Sequence, residues 1–95
     1  MFQLGKLVQT SGVHHESGND PVFAHNVHAC LTRYRKGDWG DLSDEDKKMN
    51  DEALKDGDQI LAAYEVPTSQ ATTRKIYIVT EWDRSVTTIL FPEEY

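Results

Sequence analysis

The chain has 95 residues, 38% hydrophobic and 9% aromatic, with a formal net charge of −6. That length fills one domain, residues 1–95, with a thin core, and its apolar runs fall far short of the ~20 residues a membrane helix needs. The acidic balance argues against direct nucleic-acid binding, and the lone cysteine, Cys30, excludes an intrachain disulfide and points to a reducing, cytoplasmic setting.

Residues 3–9 read as a first strand, with Leu4, Lys6 and Val8 on one side. Met1–Lys6 lacks the charged start and apolar middle of a signal peptide, so none is expected. Thr10 to Asp20, polar and interrupted by Gly12 and Gly18, reads as an exposed loop. Asn19 or Asp20 then caps a helix whose first turn holds Pro21. Phe23, Val27, Cys30, Leu31 and Tyr34 form one stripe along it, and Gly37 stops it behind Arg33, Arg35 and Lys36.

A second helix starts at the N-cap Ser43, with Asp44, Glu45 and Asp46 favouring its dipole, and ends at Gly57. Met49, Ala53 and Leu54 define its inward face, which Asn50 and Asp46 share. Buried polar groups need partners, and the candidates are the backbone of the Gly37–Leu42 loop or Arg84. From Ile60 to Val66 the period becomes two, a strand; 67–73 is a polar loop without an apolar anchor and is expected to be mobile. Strands over 74–81 and 86–91 follow, joined by a Trp82–Ser85 turn and ended by Pro92. The order β-α-α-β-β-β predicts an α+β fold: a four-stranded antiparallel sheet with two helices on one face.

No catalytic set emerges. His25, His28 and Cys30 share a helix, but Cys30 lies on the apolar stripe and the histidines point elsewhere; His14 and His15 sit in the preceding loop. Asp38 to Asp44 lacks the calcium-loop pattern, Ser85 lacks a nucleophile elbow, and no glycine-rich phosphate loop occurs. A non-enzymatic protein without metal or cofactor is expected. Trp39, between Asp38 and Asp41, either plugs the core between the helices or stands at a partner surface.

The charge is concentrated. Residues 38–58 hold nine carboxylates against three lysines, so this one segment carries the whole excess of −6. Such a field favours a basic partner surface.

Several motifs are shared with a known group of proteins. Gly37-Asp38-Trp39-Gly40-Asp41-Leu42, Glu45-Asp46-Lys47 with Asn50, Ala53-Leu54 and Gly57 form one set. Thr80-Glu81, Asp83-Arg84-Ser85, Thr87-Thr88 and Pro92-Glu93-Glu94-Tyr95 form the other. Together they resemble a family of short proteins from plasmids and other mobile elements, over residues 1–10 and 34–95. The resemblance implies an accessory protein of a mobile element, acting on a host protein; some members carry a methyltransferase-subunit label, for which this chain has neither the glycine-rich motif nor the length. Two sites are then expected. Asp44, Glu45, Asp51, Glu52, Asp56 and Asp58, with Trp39, would contact a basic protein such as a host defence nuclease, competing with its phosphate substrate. Alternatively, Asp38, Asp41, Thr80, Glu81, Asp83, Arg84, Ser85 and Thr87 would bind a nucleotide-like ligand through Arg84. A structural reading of the same residues pairs Arg84 with Asp46 or Asp41 as a lock between hairpin and helix.

Overall fold

A computed structural model describes residues 2–95. In chain order it comprises β1 (Lys6–Gln9), α1 (Ser11–Asn19), α2 (Pro21–Arg35), α3 (Asp44–Asp56), β2 (Ile60–Pro67), β3 (Thr73–Thr80), β4 (Val86–Leu90) and a 3₁₀ turn at Pro92–Glu94. The class is α+β, but details of the expected arrangement need correction.

The first correction is α1, which occupies the segment read as a loop. Its nine residues bury only Val13, too few to announce a helix by periodicity. Its start is held from the far end of the chain. Thr10 accepts from the Val13 N–H as N-cap, while Glu94 takes the Thr10 hydroxyl at 2.6 Å and the Gly12 N–H at 3.2 Å. Glu16 pairs with Arg74 of β3 at 3.1 Å.

The second is the sheet. Its order is β1-β4-β3-β2, and β1 runs parallel to β4, so the sheet is mixed rather than antiparallel. Leu7 lies opposite Thr87 and Gln9 opposite Ile89. The hairpin β3–β4 and the long β2–β3 pairing are antiparallel, as alternation and turn signals indicated. The first strand is also shorter than 3–9.

α2 and α3 start and stop where the chain predicts. Asp20 caps α2, accepting from the Val22 and Phe23 N–H groups, and Ser43 caps α3. Gly57, left-handed at φ 77°, ends α3. The core joins Phe23, Val27, Cys30 and Tyr34 of α2 to Ile60, Ala62, Tyr64, Val66, Ile76, Ile78 and Ile89 on one face of the sheet. The second Asp20 oxygen also takes the Ser69 N–H and hydroxyl, both at 3.0 Å, and Asn26 bonds the Pro67 carbonyl. The loop, read over 67–73 as lacking an apolar anchor, is thus held by polar groups instead.

α3 lies along the outer edge of β2, which corrects the expectation of two helices side by side on one face of the sheet. Asn50 presents its amide to the main chain of Leu61, donating to the carbonyl at 2.9 Å and accepting from the N–H at 3.4 Å. Asp41 continues the seal: its N–H donates to the Ala63 carbonyl at 2.8 Å, and its carboxylate takes the Glu65 N–H at 2.9 Å. A loop and a side chain thereby satisfy the groups that an edge strand would expose to other chains. Gly40 makes the approach possible. At φ 75° it is in the left-handed region, and a Cβ there would collide with the Ala63 carbonyl and the Tyr64 ring.

Candidate functional site

The polar residues singled out in the sequence are distributed over three structural devices and one free surface.

The first device is a buried hydrogen-bonded chain. Tyr34 Oη lies 2.6 Å from Thr80 Oγ1, which lies 2.7 Å from Thr87 Oγ1, which donates to the Leu4 carbonyl at 2.7 Å. Tyr34, Thr80 and Thr87 are fully buried. The carbonyl can only accept, and each hydroxyl has one proton, so the direction is fixed: Tyr34 donates to Thr80, Thr80 to Thr87, Thr87 to Leu4. Burial pushes the Tyr34 phenol well above its ordinary value, holding it as a donor. Thr80 and Thr87 are therefore sealed in the core and unavailable to a ligand.

The second device is centred on Arg84. Its Nη1 donates to the carbonyls of Asp58 (2.6 Å), Glu81 (3.1 Å) and Trp82 (3.3 Å), and its Nη2 to Ala53 (2.8 Å). The cation closes the C-terminal end of α3, where the helix dipole favours positive charge, and ties it to the β3–β4 turn. Arg84 itself sits at φ 61°, a conformation unusual for a side-chain-bearing residue, kept by this set of bonds. The lock expected of Arg84 exists, but its partners are carbonyls rather than Asp46 or Asp41. Asp83 holds the same turn by accepting from the Ser85 hydroxyl (2.6 Å) and N–H (3.0 Å), which draws its carboxyl below the usual range. Glu81 takes a bond from Gln59 at 3.2 Å.

The third device is Asp38 and its neighbours. Arg33 binds both Asp38 oxygens, at 2.7 and 3.2 Å, and this guanidinium lowers the Asp38 carboxyl below its ordinary value. The Tyr64 hydroxyl donates to the Asp38 carbonyl at 2.6 Å. Trp39 is 2% exposed, packed 5.8 Å from Phe2 and 5.5 Å from Tyr34 between ring centroids. Its indole N–H reaches the Asp51 carboxylate at 2.9 Å. Trp39 is the core plug, and its place in an exposed contact set is corrected accordingly.

The eight residues of the proposed ligand set therefore do not converge. Asp38 and Asp41 secure the helix connection and the β2 edge, Thr80 and Thr87 lie in the core, and Arg84 is taken up by main-chain oxygens. The polar face of α3 resolves the same way. Asn50 is buried against Leu61, not against the 37–42 loop or Arg84, whereas Asp46 is exposed. Met49 and Leu54, read as inward, are 64% and 37% exposed. A helix set on a sheet edge has only a narrow buried side, here Asn50 and Ala53.

What stays free is the outer surface of α3. Asp44, Glu45, Asp46, Asp51, Glu52, Asp56 and Asp58 are all exposed. Among the described residues the ion pairs involve Arg33 and Arg74 only, so none of these carboxylates is neutralised by a neighbour. Among the described residues, no group of three or more histidine, cysteine, aspartate or glutamate side chains is placed to hold a metal ion. Burial raises the Cys30 thiol above its ordinary value, away from nucleophilic use. No described helix is long and apolar enough to cross a membrane. Comparisons with protein-family models, curated proteins and solved structures return no match.

Proposed function

We propose that the chain is a non-catalytic binding protein that docks a basic protein surface against the outer face of α3. The observation that carries this reading is the set of exposed carboxylates without ion-pair partners on one helix. Helical geometry sharpens it. Glu45, Met49, Glu52 and Asp56 fall at i, i+4, i+7 and i+11, a stripe without lysine, while Lys48 and Lys55 lie beside it. Met49, 64% exposed, gives the stripe an adaptable apolar centre within a ring of negative charge. Asp44 and Asp51 lie beyond those lysines on the same side, and Asp58 follows just past the end of the helix.

The resemblance to mobile-element proteins makes a host defence nuclease the natural partner in the cytoplasm. Its phosphate-binding lysines and arginines would meet carboxylates in place of DNA, and inhibition would follow from occupancy. The test is a pull-down from bacterial lysate with the wild type and with Glu45→Lys, Glu52→Lys, Asp56→Lys combined. A captured nuclease whose DNA cleavage the wild type slows, and the triple variant does not, is the expected result. Equal capture by both forms would refute the proposal.

A further inference from the structure

The two edges of the sheet are treated oppositely. The β2 edge is sealed by Asp41 and Asn50, whereas the β1 edge is open. Lys6 N–H bonds the Ser85 carbonyl and Thr10 N–H the Ile89 carbonyl, so the even-numbered residues of β1 face β4. By the alternation of a strand, the N–H and C=O groups of Leu7 and Gln9 point away from the sheet. Among the described residues nothing bonds them. The side chains beside this edge are also unfinished. Leu7 is 45% exposed. A cleft of about 220 Å³ lies between β1 and the helices, lined by Leu7, Gln9, Ser17, Val27, Leu31 and Ile89 among others. Ser17 Oγ is buried there without a hydrogen-bond partner. A second depression, of about 490 Å³, continues past Leu7 along Phe2, Leu4 and Arg35.

We infer that the β1 edge is a self-association surface: two copies pair their β1 strands antiparallel about a two-fold axis at Val8, joining both sheets into one. The register follows from the free groups. With Val8 opposite Val8, Leu7 of each copy meets Gln9 of the other as a hydrogen-bonded pair, giving about four new main-chain bonds. Opposed residues in a sheet share a face, so the second Leu7 enters on the side of the cleft. The strand thus supplies its own occupant, an exposed leucine at the position where the cleft is open. A Gln9 amide entering the same groove carries both a donor and an acceptor for Ser17. Charge selects a second copy over the basic partner of α3. The acidic segment over 38–58 adjoins β2, at the opposite edge of the sheet, whereas the clefts beside β1 are lined by Arg35 and by no carboxylate. Two copies joined at β1 keep their acidic faces at the far ends, where repulsion is least, whereas a basic surface would meet Arg35 here and no carboxylate.

Sedimentation velocity over about 1 μM to about 1 mM, a span that includes transient homodimers, reads the association directly. The expected result is a concentration-dependent doubling of mass for the wild type. Leu7→Pro removes only an outward N–H and Leu7→Lys places a charge on the edge; both should stay monomeric, and the lysine variant serves if the proline one does not fold. Register is tested separately with Cys30→Ala as background. Val8→Cys should form a symmetric disulfide on mild oxidation, because opposed residues of a non-hydrogen-bonded pair are close, and Lys6→Cys should not. A monomeric wild type at the highest concentration, or dimers unaffected by Leu7→Lys, would overturn the inference. Crosslinking by Lys6→Cys in place of Val8→Cys would overturn the register.

Discussion

Thr80→Val tests the buried hydroxyl chain with little change of volume. The substitution removes the bond that Thr80 accepts from Tyr34 and the one it donates to Thr87, each worth about 1 kcal/mol net. It also strands the Tyr34 hydroxyl, a donor sealed from water, which adds at least about 1 kcal/mol. Thr87 still donates to Leu4, so that end is undisturbed. The expected loss is about 3 kcal/mol. Tyr34→Phe removes one bond and leaves no donor stranded, because Thr80 keeps its proton on Thr87; its loss is about 1 kcal/mol. The double variant strands nothing either and should lose about 2 kcal/mol, less than Thr80→Val alone. Urea unfolding of the four proteins, with m unchanged, gives each value from the midpoint. Additive losses, or a Tyr34→Phe effect larger than that of Thr80→Val, would refute the directed chain and the sealed donor with it.

Three other outcomes follow from the remaining devices. Arg84→Lys should destabilise by about 1–2 kcal/mol despite keeping the charge, since an ammonium cannot reproduce the fork that joins Ala53 to the Asp58, Glu81 and Trp82 carbonyls; a urea midpoint equal to that of the wild type would refute this. Gly40→Ala should lose about 2 kcal/mol or more in the same measurement, from the left-handed backbone and the collision with Ala63; a neutral effect would mean the β2 seal relaxes freely. The Asp20 carboxyl is held below its ordinary value, chiefly by the Ser69 N–H. A lowered folded-state value means that its contribution is complete above the unfolded carboxylate range and disappears as pH falls through the folded value. Stability should therefore decline below about pH 4, and Asp20→Asn should flatten that limb in urea titrations; an unchanged limb would place the acid sensitivity elsewhere.

The sequence was most informative where a local signal had a local cause. Asp20 with Pro21, and Ser43 with three acids behind it, marked helix starts because capping is a matter of neighbouring residues. Gly57 marked the end of α3 because only the left-handed conformation was needed there. The strands from Ile60 onward were visible in their alternation. α1 was hidden because its cap is completed by Glu94 and its ion pair by Arg74, and no window of neighbouring residues contains either. The parallel pairing of β1 was hidden for the same reason, since its partner is the last strand. At α3 the chain showed that Asn50 shares the buried side but not that this side is a sheet edge, so Met49 and Leu54 were misread as core. The polarity of the Trp82–Ser85 turn was legible, its purpose was not: an arginine that satisfies four carbonyls has the same sequence signature as one that awaits an anion.

Glu94 receives the Phe91 N–H as well as the Thr10 hydroxyl and the Gly12 N–H. During synthesis, residues 10–12 leave the ribosome long before residue 94 is added, and a nine-residue polar helix does not stand on propensity alone. The amino-terminal helix should consequently be the last to settle, assembling on a sheet already completed by the strand that precedes its cap. Order at His14 and His15 would then report that synthesis has passed residue 94, making this helix a late marker of folding although it is made before β3 and β4.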